Sequence, residues 1–188
     1  MGGGRTDEGR GPMTGIFTRF RSDRAGTSGI EFAIIAPVML LLFIGGITLF
    51  DIIRSYQRMI GANSVVADIL SRQTSVNSAF IDKMEVFFVN LQMNKAADKA
   101  LRVSSLTRSK GKFVVAWTQA RGNAKLLPQE ILDTSKLPDV EDGDSLLYIE
   151  SAISYEPMHG ILGFSGVEYF EGSAIRPRFI AAVGYGGT

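Results

Sequence analysis

The sequence predicts an α+β fold in which a long N-terminal membrane-spanning helix continues as a stalk, followed by a second short helix and a roughly four-stranded antiparallel sheet. Three observations predict it. An uncharged apolar run extends from Phe32 to Phe50. The apolar residues beyond it recur at a helical period as far as Leu70. From Ala100 the period drops to two, and strands that follow helices in a block imply a sheet laid on a helix.

With 188 residues, a leader and one span leave room for a single modest domain. Lys and Arg total 20 against 19 Asp and Glu, a net charge of +1, which lacks the basic footprint of a nucleic-acid binder. Nucleic acid is therefore set aside as a partner. The absence of cysteine excludes a disulfide framework and thiolate metal sites.

Residues 1–26 are rich in Gly and Arg and too poor in apolar residues to build a core, so they read as a disordered basic leader. Translation from Met13 would shorten it. Residues 27–50 form the transmembrane helix: the stretch from Ile30 to Phe50 spans about 30 Å as a helix, the thickness of a bilayer's hydrocarbon core. Arg19, Arg21 and Arg24 precede it, whereas Asp51, Arg54 and Arg58 follow, which puts the N-terminus in the cytoplasm and residues 51–188 outside. Ordinary signal-peptide cleavage is disfavoured, because Leu49, Phe50 and Ile52 stand where small residues are needed.

Glu31 is the anomaly of this segment. An ionised carboxylate entering hydrocarbon costs a few kcal/mol unless it is paired. Either it sits in water at headgroup level, or it has a partner. If a peptidase cuts after Gly26, Thr27 gains a free α-amine. That cation can pair with Glu31 of a neighbouring subunit, making charge neutralisation an assembly contact.

After Phe50, Ile52, Tyr56, Met59, Ile60, Val66, Ala67 and Leu70 follow the 3.6-residue period, with Arg54, Gln57, Arg58, Asp68 and Arg72 on the other side. The span thus continues as an amphipathic stalk to Arg72. Pro37 and the Gly45-Gly46 pair either bend it or are tolerated, as membrane helices tolerate both. A break at Thr74-Ser75 leads into a second helix, Val76 to Gln92, with Phe80, Met84, Phe87, Phe88 and Leu91 as its core face.

Leu101, Val103 and Ser105 then alternate with polar residues. Phe113, Val115 and Trp117 form a second alternating set on one face, and Ser109-Lys110-Gly111 makes the turn of a hairpin. Residues 121–144 read as a long crossing loop with one helical turn at Pro128–Leu132. Leu146–Tyr155 and Val167–Phe179 supply two more strands, and the tail from Gly184 to Thr188 is expected to be loose.

Few residues invite chemistry. His159, the sole histidine, lies in a Pro-Met-His-Gly turn without a second ligand or base nearby in sequence, so it reads as a loop residue. Asp139, Glu141, Asp142 and Asp144 surround Gly143, with Glu150 further on. Their spacing misses the EF-hand frame by one place, so a solvated acidic turn is preferred to a calcium site. With no phosphate loop, HExxH or GxSxG motif, no enzyme activity or cofactor is expected.

Gly26, followed by four residues and then Glu31-Phe32 at the head of a single span, resembles the prepilin-peptidase site of type IV-type pilins and pseudopilins. More narrowly, Gly29 to Leu42 followed by Gly45 resembles the N-terminus of TadE-like proteins, minor pseudopilins of the tight-adherence (Tad, Flp) system. The resemblance covers about 50 residues, and beyond Gln73 it is one of shape and of a Ser173-Ala174-Ile175-Arg176 pattern. It implies a pilin-like fold, cleavage between Gly26 and Thr27, and Glu31 as the fifth residue of the mature chain with Phe32 beside it. Gly29 is a poorer cleavage position, since it would make Glu31 the second residue.

The resemblance further implies a noncatalytic Flp-pilus assembly component, single-pass in a bacterial inner membrane with a periplasmic domain. Its implied partners are the prepilin peptidase, other pilins and pseudopilins, inner-membrane assembly proteins and membrane lipid. Two other readings stay open: a signal-anchored periplasmic binding or enzyme domain, and an accessory subunit of a different membrane complex.

Overall fold

Apolar residues that cannot all face one core form the first element. In the computed structural model, which describes residues 24–92, 98–130, 137–155 and 166–186, helix α1 spans Arg24–Ser71 and passes Pro37 and Gly45-Gly46 without a break. Pro37 removes one N–H from the ladder, yet the turns on both sides stay helical. Of the leader expected to be disordered over residues 1–26, residues 1–23 lie outside the described residues, and Arg24, Ala25 and Gly26 instead begin helix α1.

The chain divides into two units, Met1–Gly46 and Ile47–Thr188. In the first, α1 exposes Ile30, Phe32, Ile34, Val38, Leu42 and Phe43, so it is apolar around its circumference. Such a surface suits hydrocarbon rather than water. By length and composition α1 is able to cross a membrane.

In the second unit, α1 becomes one-sided. Met59, Ala62, Val66, Ala67 and Leu70 are buried at helical spacing. Ile60, expected inward, is 36% exposed, and Ala62 and Asn63 turn inward instead. Asn63 Nδ2 donates to the Ile149 carbonyl at 3.4 Å.

Residues 74–77 do more than break the helix. They hold a short strand, β1, Ser75–Val76. Asn77 then caps helix α2, Ser78–Leu91, its side chain accepting from the Phe80 N–H at 2.9 Å. This cap starts the helix two residues later than the apolar pattern suggested. Its core face also differs: Ile81, Met84 and Phe88 are buried, whereas Phe87 and Leu91 face outward.

Four strands follow: β2 (Lys99–Ser109), β3 (Lys112–Gly122), β4 (Ser145–Tyr155) and β5 (Val167–Ile175). They form one antiparallel sheet in the order β3-β2-β4-β5. The β2–β3 turn uses Lys110 and Gly111, both at positive φ. β5 ends at Ile175 rather than Phe179, consistent with Pro177, which restricts the preceding residue and has no N–H to donate.

The central strands β2 and β4 are covered on both faces. On one, Leu101, Val103, Ile149 and Ile153 join Met59 and Val66 of α1 and Phe88 of α2 in the main core. On the other, Leu106, Leu146 and Tyr148 pack with Leu137 and Val140 of the crossing segment, and Ala100 and Ala152 with Leu127. The segment's described helical turn is a 3-10 turn at Ala124–Leu126, upstream of the predicted Pro128–Leu132, of which residues 131–132 lie outside the described residues.

An irregularity in β3 divides residues that the sequence assigned to one face. Ser105 lies opposite Trp117, but Leu106 lies opposite Val115, so Ala116 is an extra residue. Trp117 therefore packs against the helix-side core, while Phe113 and Val115 pack on the other face. One inserted residue reverses a period-two pattern.

Residues 184–186 of the tail are ordered where they were expected to be loose, and residues 187–188 lie outside the described residues. Gly184–Tyr185 form β6, parallel to β1. Trp117 Nε1 donates to the Val183 carbonyl at 2.8 Å, and the Tyr185 ring lies 5.4 Å from that of Trp117.

Candidate functional site

The residues singled out by sequence lie along the first turns of α1. Gly26 and Thr27 fall within its helical range, but their side chains lie outside the described set. Glu31 and Phe32 are exposed, Phe32 at 73%. Among the described residues no ion pair or hydrogen bond involves the Glu31 side chain. The helix therefore presents an acid and an adjacent aromatic ring at the start of its apolar surface, an arrangement able to receive a cation on another molecule.

A second cluster, not anticipated from sequence, lies just beyond the apolar run. Asp51 is the first charged residue after Phe50, and Tyr155, the last residue of β4, donates its hydroxyl to Asp51 Oδ2. Tyr169 of β5 donates to the Ile52 carbonyl at 3.2 Å. Tyr56 donates to Glu171 Oε2 at 3.1 Å. The Tyr169 ring lies 5.6 Å from Tyr56 and 6.0 Å from Tyr155, so the three rings form one aromatic group.

The environment favours neutral phenols. Burial and the Asp51 carboxylate both raise the Tyr155 hydroxyl well above its ordinary pKa. Burial, then the same carboxylate, raises Tyr169; the Glu171 contact raises Tyr56. A neutral hydroxyl facing a carboxylate donates without adding charge.

The acidic turn is occupied by arginines. Asp139 and Asp142 pair with Arg108, and Asp142 Oδ1 also accepts from the Gly111 N–H at 2.9 Å. Asp144 pairs with Arg176 at 2.9 Å. Glu150 is turned into the sheet interior and bound by Arg102. Burial pushes its carboxyl up, while the guanidinium opposes that shift. No group of three or more acids and histidines able to hold a metal occurs among the described residues. His159 lies outside them.

The tyrosine cluster left a trace in the sequence. Tyr155 and Tyr169 each follow their strand's period-two pattern, and Asp51 interrupts an apolar stretch. Only the pairing of β4 with β5, which sets Ile153 against Tyr169 and Tyr155 against Val167, brings the two rings together. No protein-family model, curated protein or solved structure matches the chain.

Proposed function

We propose that this chain is a pseudopilin-like structural component of a Tad-type (Flp) pilus assembly system, processed by a prepilin peptidase after Gly26. The observation that carries the reading is the placement of Glu31 five residues after Gly26, exposed at the head of an apolar helix that continues unbroken to Ser71. Cleavage would create a cationic amine on Thr27. Pairing it with Glu31 of an adjacent subunit removes the cost of placing either charge at the hydrocarbon edge.

In this reading the protein is anchored in the inner membrane of a bacterium with its sheet domain in the periplasm. It acts by assembly rather than catalysis. The leader directs it to the peptidase, the span holds it in lipid, and Glu31 with Phe32 meets neighbouring pilins.

The test is the mass and N-terminal sequence of the protein purified from cells containing an active prepilin peptidase. The expected start is Thr27, and Gly26→Ala should leave the leader attached. An intact leader on the unaltered chain, with the peptidase active on a pilin in the same cells, would refute processing and leave an ordinary anchored domain.

A further inference from the structure

The second unit carries apolar surface at one end of its sheet. Ile47, Leu49, Phe50 and Ile53 are 48%, 58%, 65% and 48% exposed. The first three belong to the uncharged run. Immediately beyond it, the Tyr155 hydroxyl binds Asp51 and the Tyr169 hydroxyl binds the Ile52 carbonyl. The end of β4 and the beginning of β5 are therefore tied to the first two residues past the run. Tyr155 opposite Val167 marks that end, followed along β5 by exposed Glu168.

We propose that this end of the domain rests on the bilayer surface, its occupant being the lipid headgroup layer; the inference rests on α1 crossing the membrane. The headgroup layer is about 6 Å deep on each side. A helix rises about 1.5 Å per residue, so Asp51 and Ile52 lie within that layer when the hydrocarbon boundary is at Phe50. The two tyrosine hydroxyls bonded to them share their depth. Tyrosine is suited to this position because its ring is apolar and its hydroxyl polar.

The hydrogen bonds also determine what the domain can do there. A freely hinged domain would sample all distances from the membrane. This one is tethered by two elements of its sheet at the helix exit, so the β4–β5 end faces lipid. The hairpin turn at Lys110-Gly111 belongs to the opposite end, because β4 begins at Ser145 beside Thr107 and runs eleven residues to Tyr155. Strands of that length extend about 35 Å. Within this unit α1 follows β4, meeting Tyr155 at Asp51 and Ile149 at Asn63, so with α1 crossing the bilayer the two ends differ in depth by far more than the headgroup thickness.

The protein has no cysteine, so a single introduced cysteine is the sole site for a spin label. Full-length chain carrying a label at Glu168→Cys, Lys112→Cys or Leu41→Cys would be reconstituted into vesicles of phosphatidylethanolamine and phosphatidylglycerol. Collision rates with oxygen and with a water-soluble nickel chelate would then be compared. The expected result is a hydrocarbon-depth label at position 41, a headgroup-depth label at 168 with several-fold lower nickel collision than at 112, and a fully aqueous label at 112. Equal aqueous exposure at 168 and 112, with position 41 in hydrocarbon, overturns the surface contact and leaves the span intact. A water-exposed label at position 41 overturns both.

Discussion

Arg102 and Glu150 stand opposite each other on β2 and β4 and form a two-point ion pair inside the protein. Nη2 donates to Oε1 at 2.7 Å, Nε donates to Oε2, and Nη1 reaches the Pro128 carbonyl at 2.8 Å. Their side chains are 10% and 2% exposed. The pair thus connects both central strands to the segment that crosses the second face of the sheet.

Removing one partner should cost more than removing both. Glu150→Gln leaves the Arg102 charge buried without its counterion, and about 3–5 kcal/mol of stability should be lost. Arg102→Met with Glu150→Leu removes both charges and should recover most of it, although the Pro128 carbonyl loses a donor. Urea denaturation in detergent checks this through the fluorescence of Trp117, the sole tryptophan, which is packed against Tyr185. Equal stability of the single variant and the unaltered chain would rule out a paired buried charge.

Gly122 and Gly172 should respond differently to the same methyl group. At Gly122, φ is +74°, and a Cβ would lie 2.2 Å from the Lys99 carbonyl oxygen. Neither the left-handed backbone nor the neighbouring strand can yield cheaply, so Gly122→Ala should cost roughly 2–5 kcal/mol. At Gly172 the obstacle is the Tyr148 hydroxyl at 2.3 Å, the end of a side chain. Gly172→Ala should cost about 1–3 kcal/mol, less when Tyr148→Phe removes the nearest atom. A double-mutant cycle on residues 148 and 172 reads the coupling; strict additivity would contradict the proposed clash.

Phe87 and Phe88 show how far the sequence could be read. The α+β order, the long helix and the hairpin were legible because apolar spacing shifted from helical to alternating between residues 70 and 101. Which side of α2 faces the core was not, because several large apolar residues competed. Phe88 is fully buried while Phe87 is 36% exposed. The faces of Phe113 and Trp117 were hidden by the bulge at Ala116, which depends on the partner strand. β6 was illegible for a similar reason: its two residues become a strand only through β1, more than a hundred positions earlier. Glu31 was visible as a charge beside an apolar run, whereas the Asp51–Tyr155 bond required strand pairing. Accordingly Phe88→Ala should cost about 3–5 kcal/mol and Phe87→Ala under about 1 kcal/mol in the same urea assay. The reverse order would mean that α2 presents its other side to the core.

Tyr155 makes the second unit sensitive to alkali, and the direction follows from its protonation. Burial, then the bond to Asp51, raises its folded-state pKa above the unfolded value of 10.0. The native state therefore retains a proton that the unfolded chain loses. This contribution is fully present below about pH 10 and disappears as pH rises from there toward the folded-state pKa. In that window stability should fall by up to about 1.4 kcal/mol per pH unit for each such tyrosine. Tyr169 is raised in the same direction and adds to the decline. Tyr155→Phe should lower stability at pH 7, since a hydroxyl bond to a carboxylate is lost, and should make the decline above pH 10 shallower. Urea midpoints between pH 8 and 11.5 provide the measurement. If the variant declines as steeply as the unaltered chain, the alkaline sensitivity arises elsewhere and Tyr155 does not keep its proton against Asp51.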